Sequence, residues 1–264
     1  MQTLPITLGI LTRNSGKVLG SALASAEGRF AEILLCDGYS TDETSRIAHT
    51  YKAKLLLQDK GYLDKDNRLI DFAGARNQIL SQAQQPWIFF LDADERLTPA
   101  LLDELAEITH KDEPKPYLVP RRYLWHQREI LYSTTYPNRQ LRFFHKKTVA
   151  RYERSVHERP VIQDGYETGT LQSHMLVPMD ELHQLKTRWR RYIAIEVERK
   201  ATLSFEQWLR ISVNTMKSSL LYLLRLPNVL IRPPNMRLPL SYELARHRYN
   251  FDLIIALSKR VGAH

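Results

Sequence analysis

Strand-like segments alternate with helix-like segments over the first third of this chain, and this alternation constrains the fold more than any other feature. The strand-like segments are 6–11, 32–36, 53–57 and 87–91, and the helix-like segments among them are 18–26, 41–51 and 72–83. Such alternation is typical of a largely parallel sheet covered by helices, so we expect an α/β protein. Ligands of these folds bind beyond the carboxyl ends of the strands. The side chains that follow each strand are therefore the first candidates for a functional site.

The most informative strand end is the point at which the apolar run 87–91 meets a group of acids. An all-apolar run bounded by a turn indicates a buried central strand, and side chains two apart on a strand point the same way. Asp92 and Asp94 therefore share a face. Two adjacent carboxylates repel each other unless a divalent cation or a set of donors lies between them. The pattern predicts a metal–nucleotide site, whereas Glu95 is explained by the start of the helix that follows.

Two further strand ends carry side chains that suit a ligand. Asn14 follows the first strand and Asp37 follows the second. Ser40 and Glu43 have the spacing of a capping box, which gives them a structural role and leaves Asp37 to accept hydrogen bonds from a base or a ribose. The loop after the first strand matches neither G-x-G-x-x-G nor G-x-x-x-x-G-K-[ST]. Phosphate is therefore expected to be held mainly by a metal and by side chains.

The middle region, 117–171, is rich in aromatic and basic residues with short extended segments. Arg142 has apolar neighbours and is predicted to be an ion-pair partner rather than a substrate contact. His157 and Glu158 belong to a dense group of proton-transfer residues. They do not begin the zinc-protease motif H-E-x-x-H, because Val161 occupies the position of the second histidine.

Charge and composition limit the partners and the compartment. Thirty-eight Lys and Arg against 29 Asp and Glu give a formal net charge of +9, which favours anionic partners. No C-x-x-C pair, RNA-binding aromatic signature or helix-turn-helix spacing supports nucleic acid. We see no signal peptide and no apolar run of the ~18 to 20 residues that span a bilayer. A single cysteine, Cys36, in an apolar stretch fits a reducing compartment, so a cytoplasmic protein is expected.

Beyond Pro178 the composition becomes helical and amphipathic. The apolar segment 220–226 leads into a proline-broken stretch, 227–240, in which apolar residues mix with arginine. Such a stretch is typical of an anchor at a membrane interface, and packing against the first domain is the alternative. The chain is predicted to divide into an α/β domain, 1–175, and a helical extension, 176–264, that contacts an anionic membrane surface or a partner.

Four motifs in a fixed order make the sequence resemble family 2 glycosyltransferases, particularly the bacterial branch of lipopolysaccharide-core β-glucosyltransferases. The resemblance covers roughly the first two-thirds of the chain. It implies a GT-A fold, a nucleotide-sugar donor, Mg²⁺ or Mn²⁺, and inversion at the anomeric carbon. Tyr39 and the tail after Leu226 depart from the family pattern. The motifs are Asp37-Gly38-Tyr39-Ser40-Thr41-Asp42, Ala75-Arg76-Asn77, Asp92-Ala93-Asp94-Glu95 and Val156-His157-Glu158.

The resemblance also implies roles for the donor site. Asp37 would contact the base or the ribose, and Arg76 would help to hold the nucleotide. Asp92 would contact the ribose or the water shell of the metal, and Asp94 would coordinate the metal that bridges the diphosphate. We group Asn14 with these donor-binding residues because it also follows a strand.

Three more residues complete the implied site. Glu158 occupies the position of the catalytic base, and His157 would orient it or touch the diphosphate. His174 lies where related enzymes place a further ligand of the metal or the diphosphate. Together these roles predict an inverting transfer of a hexose from a UDP-sugar to a hydroxyl of a glycolipid or lipopolysaccharide-core acceptor, at the cytoplasmic face of the inner membrane.

Three other functions compete with this prediction. A glycoside hydrolase also uses two carboxylates, but it does not need acids at three strand ends of a nucleotide-binding half. A non-catalytic module that binds nucleotides or a membrane surface would explain the basic, aromatic C-terminal region. A sugar nucleotidyltransferase uses similar metal chemistry, but Arg13 to Gly16 is a poor match to its usual Gly-rich, basic loop.

Overall fold

The structure, a computed structural model, describes residues 3–154, 158–200 and 202–262. The chain divides into two units. The first contains Met1–Arg122 and Pro137–Val177, and the second contains Tyr123–Tyr136 and Pro178–His264. The second unit thus begins close to the predicted boundary at 175 and also takes a segment that the sequence placed in the first domain.

A sheet with nine strands in the described part of the chain organises the fold. Its main path has the order β10-β5-β7-β4-β1-β2-β3, and β6 and β11 pair with β5. A separate pair is formed by β8 and β9. The strands are β1 (Leu4–Thr12), β2 (Phe30–Asp37), β3 (Lys54–Leu57), β4 (Trp87–Asp92), β5 (Pro116–Trp125), β6 (Arg128–Glu129), β7 (Asn138–His145), β8 (Val149–Glu153), β9 (Arg159–Ile162), β10 (Gly169–Thr170) and β11 (Met175–Pro178).

The pairing confirms the predicted α/β fold with a mostly parallel sheet. Strand β1 pairs in parallel with both β2 and β4, and β2 pairs in parallel with β3. Strand β7 is antiparallel to β4 and to β5, so β5 runs in the same direction as β4. The carboxyl ends of β1, β2 and β4 therefore lie along one edge, as parallel strands require.

Strand β4 is buried on both faces, as its apolar sequence predicts. Trp87, Phe89 and Leu91 belong to one apolar cluster, together with residues of α1 (Gly16–Ala26) and α4 (Pro99–Lys111). The intervening side chains, Ile88 and Phe90, belong to the cluster beneath α3 (Phe72–Gln82). Helix α4 starts as expected, with Pro99 in its first turn and the Thr98 hydroxyl accepting from the Leu101 backbone N–H at 3.2 Å.

The capping box predicted at Ser40 and Glu43, for the helix that follows β2, is wrong. Helix α2 (Thr44–Thr50) begins after Glu43, which makes no capping hydrogen bond with its side chain. The Ser40 hydroxyl instead donates to Asp37 at 2.5 Å. Asp42 holds the helix start, because its carboxylate accepts from the hydroxyl of Thr44 at 2.5 Å and from its backbone N–H at 3.0 Å. The start of α2 therefore depends on Asp42 rather than on Ser40.

The second unit is mainly helical. It contains α5 (Leu182–Arg199), α6 (Phe205–Leu230) and α7 (Leu240–Ser258), and both α5 and α6 pack on α7. The proline-broken stretch begins later than predicted, because α6 continues through Pro227 to Leu230. Pro227 has no backbone N–H to donate to the carbonyl four residues earlier, so it removes one hydrogen bond near the end of the helix. No helix in the described ranges is long and apolar enough to cross a membrane.

Segment 123–136 belongs to the second unit because its hydrogen bonds lead there. The backbone N–H groups of Leu131 and Tyr132 both donate to the Met236 carbonyl, at 2.8 and 3.1 Å. Glu243, only 2% exposed on α7, accepts from the backbone N–H of Thr134 at 3.0 Å and from its hydroxyl. The assignment of this segment to the predicted domain 1–175 is therefore corrected.

Candidate active site at the carboxyl ends of the strands

The loops after β1 and β2 are joined by hydrogen bonds of Asn14 and Asp37. Asp37 is 3% exposed, and one carboxylate oxygen accepts from the Thr12 hydroxyl at 2.9 Å. The other accepts from the Ser40 backbone N–H at 2.8 Å. Asp37 thus holds the loop after β2, whereas the sequence predicts that its carboxylate is available to a ligand. Its contact with a base or ribose stays a prediction.

Asn14 is exposed and has a left-handed backbone, with φ of 48°. Its backbone N–H donates to the Ser40 hydroxyl at 2.8 Å, and its side-chain oxygen accepts from the Thr41 backbone N–H at 2.8 Å. Asparagine tolerates this backbone conformation better than most residues. Asn14 therefore holds the two loops together, at the edge where the sequence predicts the donor.

The acid after β4 is neutralised by arginine. Asp92 receives two parallel hydrogen bonds from Arg142, at 3.0 and 2.6 Å, and a third from Arg76 at 3.3 Å. Paired guanidinium–carboxylate contacts of this kind are strong and directional. The prediction that Arg142 is an ion-pair partner is confirmed. The repulsion between Asp92 and Asp94 is thus relieved by arginine, so this repulsion does not by itself require a metal.

Glu95 lies deeper in the same group of charges. Its side chain is 1% exposed and forms an ion pair with Arg121, and Arg142 approaches it at 3.7 Å. Its second oxygen accepts from the Asp92 backbone N–H at 2.9 Å. The interpretation of Glu95 as a residue of the helix start is therefore wrong, because its carboxylate is occupied by these contacts.

Glu158, the predicted base, is held by the same group. Its Oε1 accepts from Arg76 Nε at 2.8 Å, and its side chain is 19% exposed. His157 lies outside the described residues, so its predicted role stays a prediction. We call the six charged residues the arginine–acid cluster, and they are Arg76, Arg121, Arg142, Asp92, Glu95 and Glu158.

The arginine–acid cluster shifts the pKa of its central pair. Burial would raise the pKa of Asp92, but the charges of Arg142 and Arg76 outweigh it and hold the pKa well below its usual range. Burial would lower the pKa of Arg142, but the charges of Asp92 and Glu95 outweigh it and raise this pKa above the usual value. Both groups therefore stay charged at neutral pH.

Helix α3 supplies Arg76 and fixes its position. Arg76 is 5% exposed, and its guanidinium lies over the ring of Phe90 at 4.8 Å and near that of Tyr152 at 5.8 Å. Burial raises the pKa of Tyr152 to about 12, so its phenol stays neutral. Asn77 donates to the Tyr152 carbonyl at 2.9 Å and accepts from its backbone N–H at 2.7 Å. The motif Ala75-Arg76-Asn77 thus joins α3 to β8, a role that the sequence did not indicate for Asn77.

The two predicted metal ligands lie on neighbouring segments. Asp94 is half-buried in the turn that follows β4. Two residues later, Arg96 and Leu176 exchange backbone hydrogen bonds of 2.9 and 2.8 Å. The Thr98 hydroxyl donates to the carbonyl of His174 at 2.7 Å. The chain near His174 is thus attached to the loop after Asp94.

The residues present suit a metal that is shared with a substrate. Across 3–154, 158–200 and 202–262, no group of three or more His, Cys, Asp or Glu could hold a metal alone. Mg²⁺ is commonly bound by one or two carboxylates together with phosphates of the substrate, so such a group is not needed. Asp94 offers the hard oxygen donor that this kind of site uses. The metal roles of Asp94 and His174 stay predictions.

The order and direction of the strands are those of the GT-A fold. The crystal structure of residues 1–349 of S. aureus TarS in complex with UDP-GlcNAc has the same fold, with a TM-score of 0.50 and 13% identity over 97% of this chain and 73% of that TarS fragment. The profile described as Glycosyl transferase family 2 matches residues 7–172. The chain belongs to glycosyltransferase family 2, which confirms the resemblance seen in the motifs.

Three curated relatives extend this comparison. The lipopolysaccharide core biosynthesis glycosyltransferase LpsC of Rhizobium meliloti is 33% identical over 196 residues, 67% of this chain and 66% of LpsC. The prophage-derived glycosyltransferase SunS of Bacillus subtilis is 29% identical over 59% of this chain and 35% of SunS. A TPR repeat-containing protein of Synechococcus elongatus is 31% identical over 58% and 34%. This chain spans about a third of the length of the last two.

Proposed function

We propose that this protein transfers a hexose from a UDP-sugar to a hydroxyl of a glycolipid or lipopolysaccharide-core acceptor, with inversion at the anomeric carbon. The arginine–acid cluster carries the proposal, because it fixes a glutamate by one oxygen at the strand ends where nucleotides bind in this fold class. The name of LpsC supports the acceptor, and the UDP-GlcNAc held by TarS supports the donor. In this proposal the transfer takes place at the cytoplasmic face of the inner membrane.

In the proposed reaction Glu158 takes the proton of the acceptor hydroxyl. The oxygen of that hydroxyl forms a bond with the anomeric carbon from one side, and the bond to the diphosphate breaks on the other side, so UDP leaves and the configuration inverts. Arg76 holds Glu158 through Oε1, and in this proposal Oε2 takes the proton. Asp94, with His174, would hold Mg²⁺ or Mn²⁺, which supplies positive charge for the departing diphosphate.

The base is tested with Glu158→Gln, which keeps the shape of the side chain but removes the proton acceptor. We expect transfer to fall by about 10² to 10⁴-fold, because that is the usual contribution of a general base. Donor binding in calorimetry should stay unchanged. The matched control is Glu153→Gln, which alters a half-exposed glutamate on β8 that pairs with Arg151. Normal transfer by Glu158→Gln would show that the base is a different group.

The metal site is tested with Asp94→Ala. We expect the variant to lose the part of UDP-sugar affinity that depends on Mn²⁺, because the metal would no longer be fixed between protein and diphosphate. Calorimetric titration with and without Mn²⁺ measures this difference. Asp103→Ala is the control, since Asp103 is 71% exposed and forms only a surface pair with Arg29. Equal metal dependence in Asp94→Ala and the parent would refute the assignment.

Product analysis separates this function from its rivals. A sugar nucleotidyltransferase would release pyrophosphate, whereas the proposed reaction releases UDP. A non-catalytic module would bind the nucleotide or the membrane and yield neither product. A thermal-shift panel of nucleotide sugars, with and without Mn²⁺, identifies the donor, because a ligand that binds only the folded chain raises its melting temperature.

A further inference from the structure

Helix α6 has an apolar face that lies open to solvent. Large apolar side chains recur there at intervals of four and seven residues, so they fall on one side of the helix. Each is at least 44% exposed. We call them the α6 apolar face, and they are Phe205, Leu209, Met216, Leu220, Leu224 and Ile231.

The large apolar side chains of α6 are not its most buried ones. The buried residues of the helix are Ser212, Ser219 and Val229, which are 8%, 6% and 6% exposed. Asn250 of α7 donates to the Ser219 hydroxyl at 2.7 Å. A helix that meets only its own unit and water turns its apolar side inward and its polar side outward. On α6 two of the three buried residues are serines while Met216 and several leucines are exposed, so the outer side suits an apolar surrounding.

The charges along this helix are mostly positive. Its acid is Glu206, whereas Arg210, Lys217 and Arg225 are basic. At 100° per residue, Arg210 and Lys217 fall beside the edge of the α6 apolar face, and both are exposed. Arg232 follows the helix directly and is also exposed. An apolar strip bordered by basic side chains is complementary to a surface with an apolar interior and anionic head groups.

We propose that the α6 apolar face docks on an anionic lipid bilayer, with the helix axis in the plane of the interface. Helix α6 is not apolar enough to cross a membrane, so it would lie on the surface. A second copy of this chain fits less well, because a two-fold contact would bring the basic edges of both copies together. The inference rests on the proposed function, for which a membrane is the place of the acceptor, and it names the surface that binds there.

The apolar contribution is tested with the variant Met216→Gln/Leu220→Gln/Leu224→Gln in sedimentation with vesicles that contain phosphatidylglycerol. All three residues are more than half exposed, at 52%, 57% and 68%, so the fold does not depend on them. We expect the vesicle partition coefficient to fall by about 100-fold or more, because three large apolar side chains no longer enter the interface. The matched control is Val18→Gln/Leu55→Gln/Leu57→Gln, which removes three exposed apolar side chains of the first unit and should bind like the parent.

The electrostatic contribution is tested with Arg210→Gln/Lys217→Gln. We expect this variant to bind phosphatidylglycerol vesicles about 30-fold more weakly than the parent, at roughly 1 kcal/mol for each of the two basic residues near the surface. Its binding to phosphatidylcholine vesicles should not change. Arg46→Gln/Arg151→Gln removes two exposed basic residues of the first unit and is the control. Added salt should weaken the binding of the parent, because it screens charges at an exposed surface.

The results separate this inference from the proposed function. If the parent binds anionic vesicles no better than neutral ones, or if the triple glutamine variant binds like the parent, the docking surface is refuted. A parent that forms a dimer in sedimentation equilibrium, and a triple variant that is monomeric, would assign the face to a second copy instead. UDP-sugar binding, measured by calorimetry on the same samples without lipid, decides the donor site independently of these results.

Discussion

Arg142 determines the charge balance of the arginine–acid cluster. It is 6% exposed, donates to both oxygens of Asp92 at 3.0 and 2.6 Å, and approaches Glu95 at 3.7 Å. Removing one partner of a buried ion pair is much more costly than replacing both partners, because the remaining charge loses its compensation. A change at Arg142 would remove the two shortest contacts of Asp92, which keeps Arg76 at 3.3 Å, and would weaken the compensation of Glu95, which keeps Arg121.

We expect Arg142→Met to lower the free energy of unfolding by about 2 to 4 kcal/mol, measured by urea denaturation at pH 7. This range lies below the full cost of a buried unpaired charge because the Asp92 side chain is 41% exposed and water screens it. Arg151→Met is the control, since Arg151 and Glu153 form an exposed pair worth less than about 1 kcal/mol. Equal losses in the two variants would show that Arg142 is not the central charge.

At the scale of single residues, the sequence predicts which strand ends carry the candidate site but not the ion pairs within it. Asp92 and Glu158 were identified because they stand in recognisable motifs. Their partner Arg76 lies 16 residues from Asp92 and 82 from Glu158, and no local spacing predicts such contacts. Glu95 was misassigned for the same reason, because its partner Arg121 is 26 residues away. Local patterns account for strand β4 and for the Thr98 cap of α4, whereas ion pairs depend on the folded neighbours.

At the scale of elements, the packing of α3 on the sheet depends on Gly9 of β1. A Cβ atom at Gly9 would lie 2.8 Å from Ile79 of α3 and 2.8 Å from the ring of Phe90 on β4. Real Cβ atoms essentially never show contacts this short. Since α3 carries Arg76, this close approach also determines where the arginine meets its acids.

We expect Gly9→Ala to destabilise the protein by about 1 to 3 kcal/mol, because the added methyl group overpacks the space beneath α3. Gly20→Ala is the matched control, since nothing lies within 4 Å of a Cβ at that position in α1. Alanine should stabilise α1 there by about 0.5 to 1 kcal/mol. Thermal or urea unfolding measures both changes, and a neutral Gly9→Ala would contradict the tight contact.

The elements themselves were largely predictable. Strand β4 and helix α4 follow from an apolar run and from a proline preceded by a capping threonine, which are local signals. Segment 123–136 was placed in the wrong unit because its contact with Glu243 joins residues 109 apart. The capping box at Ser40 failed because its hydroxyl accepts from the backbone N–H of Asn14 and donates to Asp37, which lie on the loops after β1 and β2. Local signals were thus dependable at α4, and they failed where residues of another loop bind the same side chain.

At the scale of the whole molecule, acid should destabilise the fold in two stages. Burial lowers the pKa of His145 and of His247, with nearby lysine or arginine charges acting in the same direction. The pKa values of Asp92 and Asp42 also lie below their usual ranges. In each case the unfolded chain binds a proton more readily than the folded chain does. Stability is therefore full above the unfolded pKa and is lost as the pH falls through the folded pKa.

The first stage is expected below about pH 6.5, the ordinary pKa of histidine, and the second below about pH 4, that of aspartate. His145 has a specific reason to resist protonation, because its Nδ1 accepts from the Lys147 backbone N–H at 3.1 Å. A proton on that atom would break this bond. Protons that the folded chain binds as the pH falls also add to its formal charge of +9, so repulsion within the fold increases.

This stage is measured by the melting temperature of the parent and of His145→Gln at pH 7.5, 6.5 and 5.5. We expect the melting temperature of the parent to fall over this range and that of His145→Gln to fall less, since glutamine has no proton to gain. His49→Gln, at an exposed histidine near the end of α2, should retain the decline of the parent. If His145→Gln declines as steeply as the parent, the loss between pH 7.5 and 5.5 arises elsewhere, and His247 at its place on α7 becomes the next group to substitute.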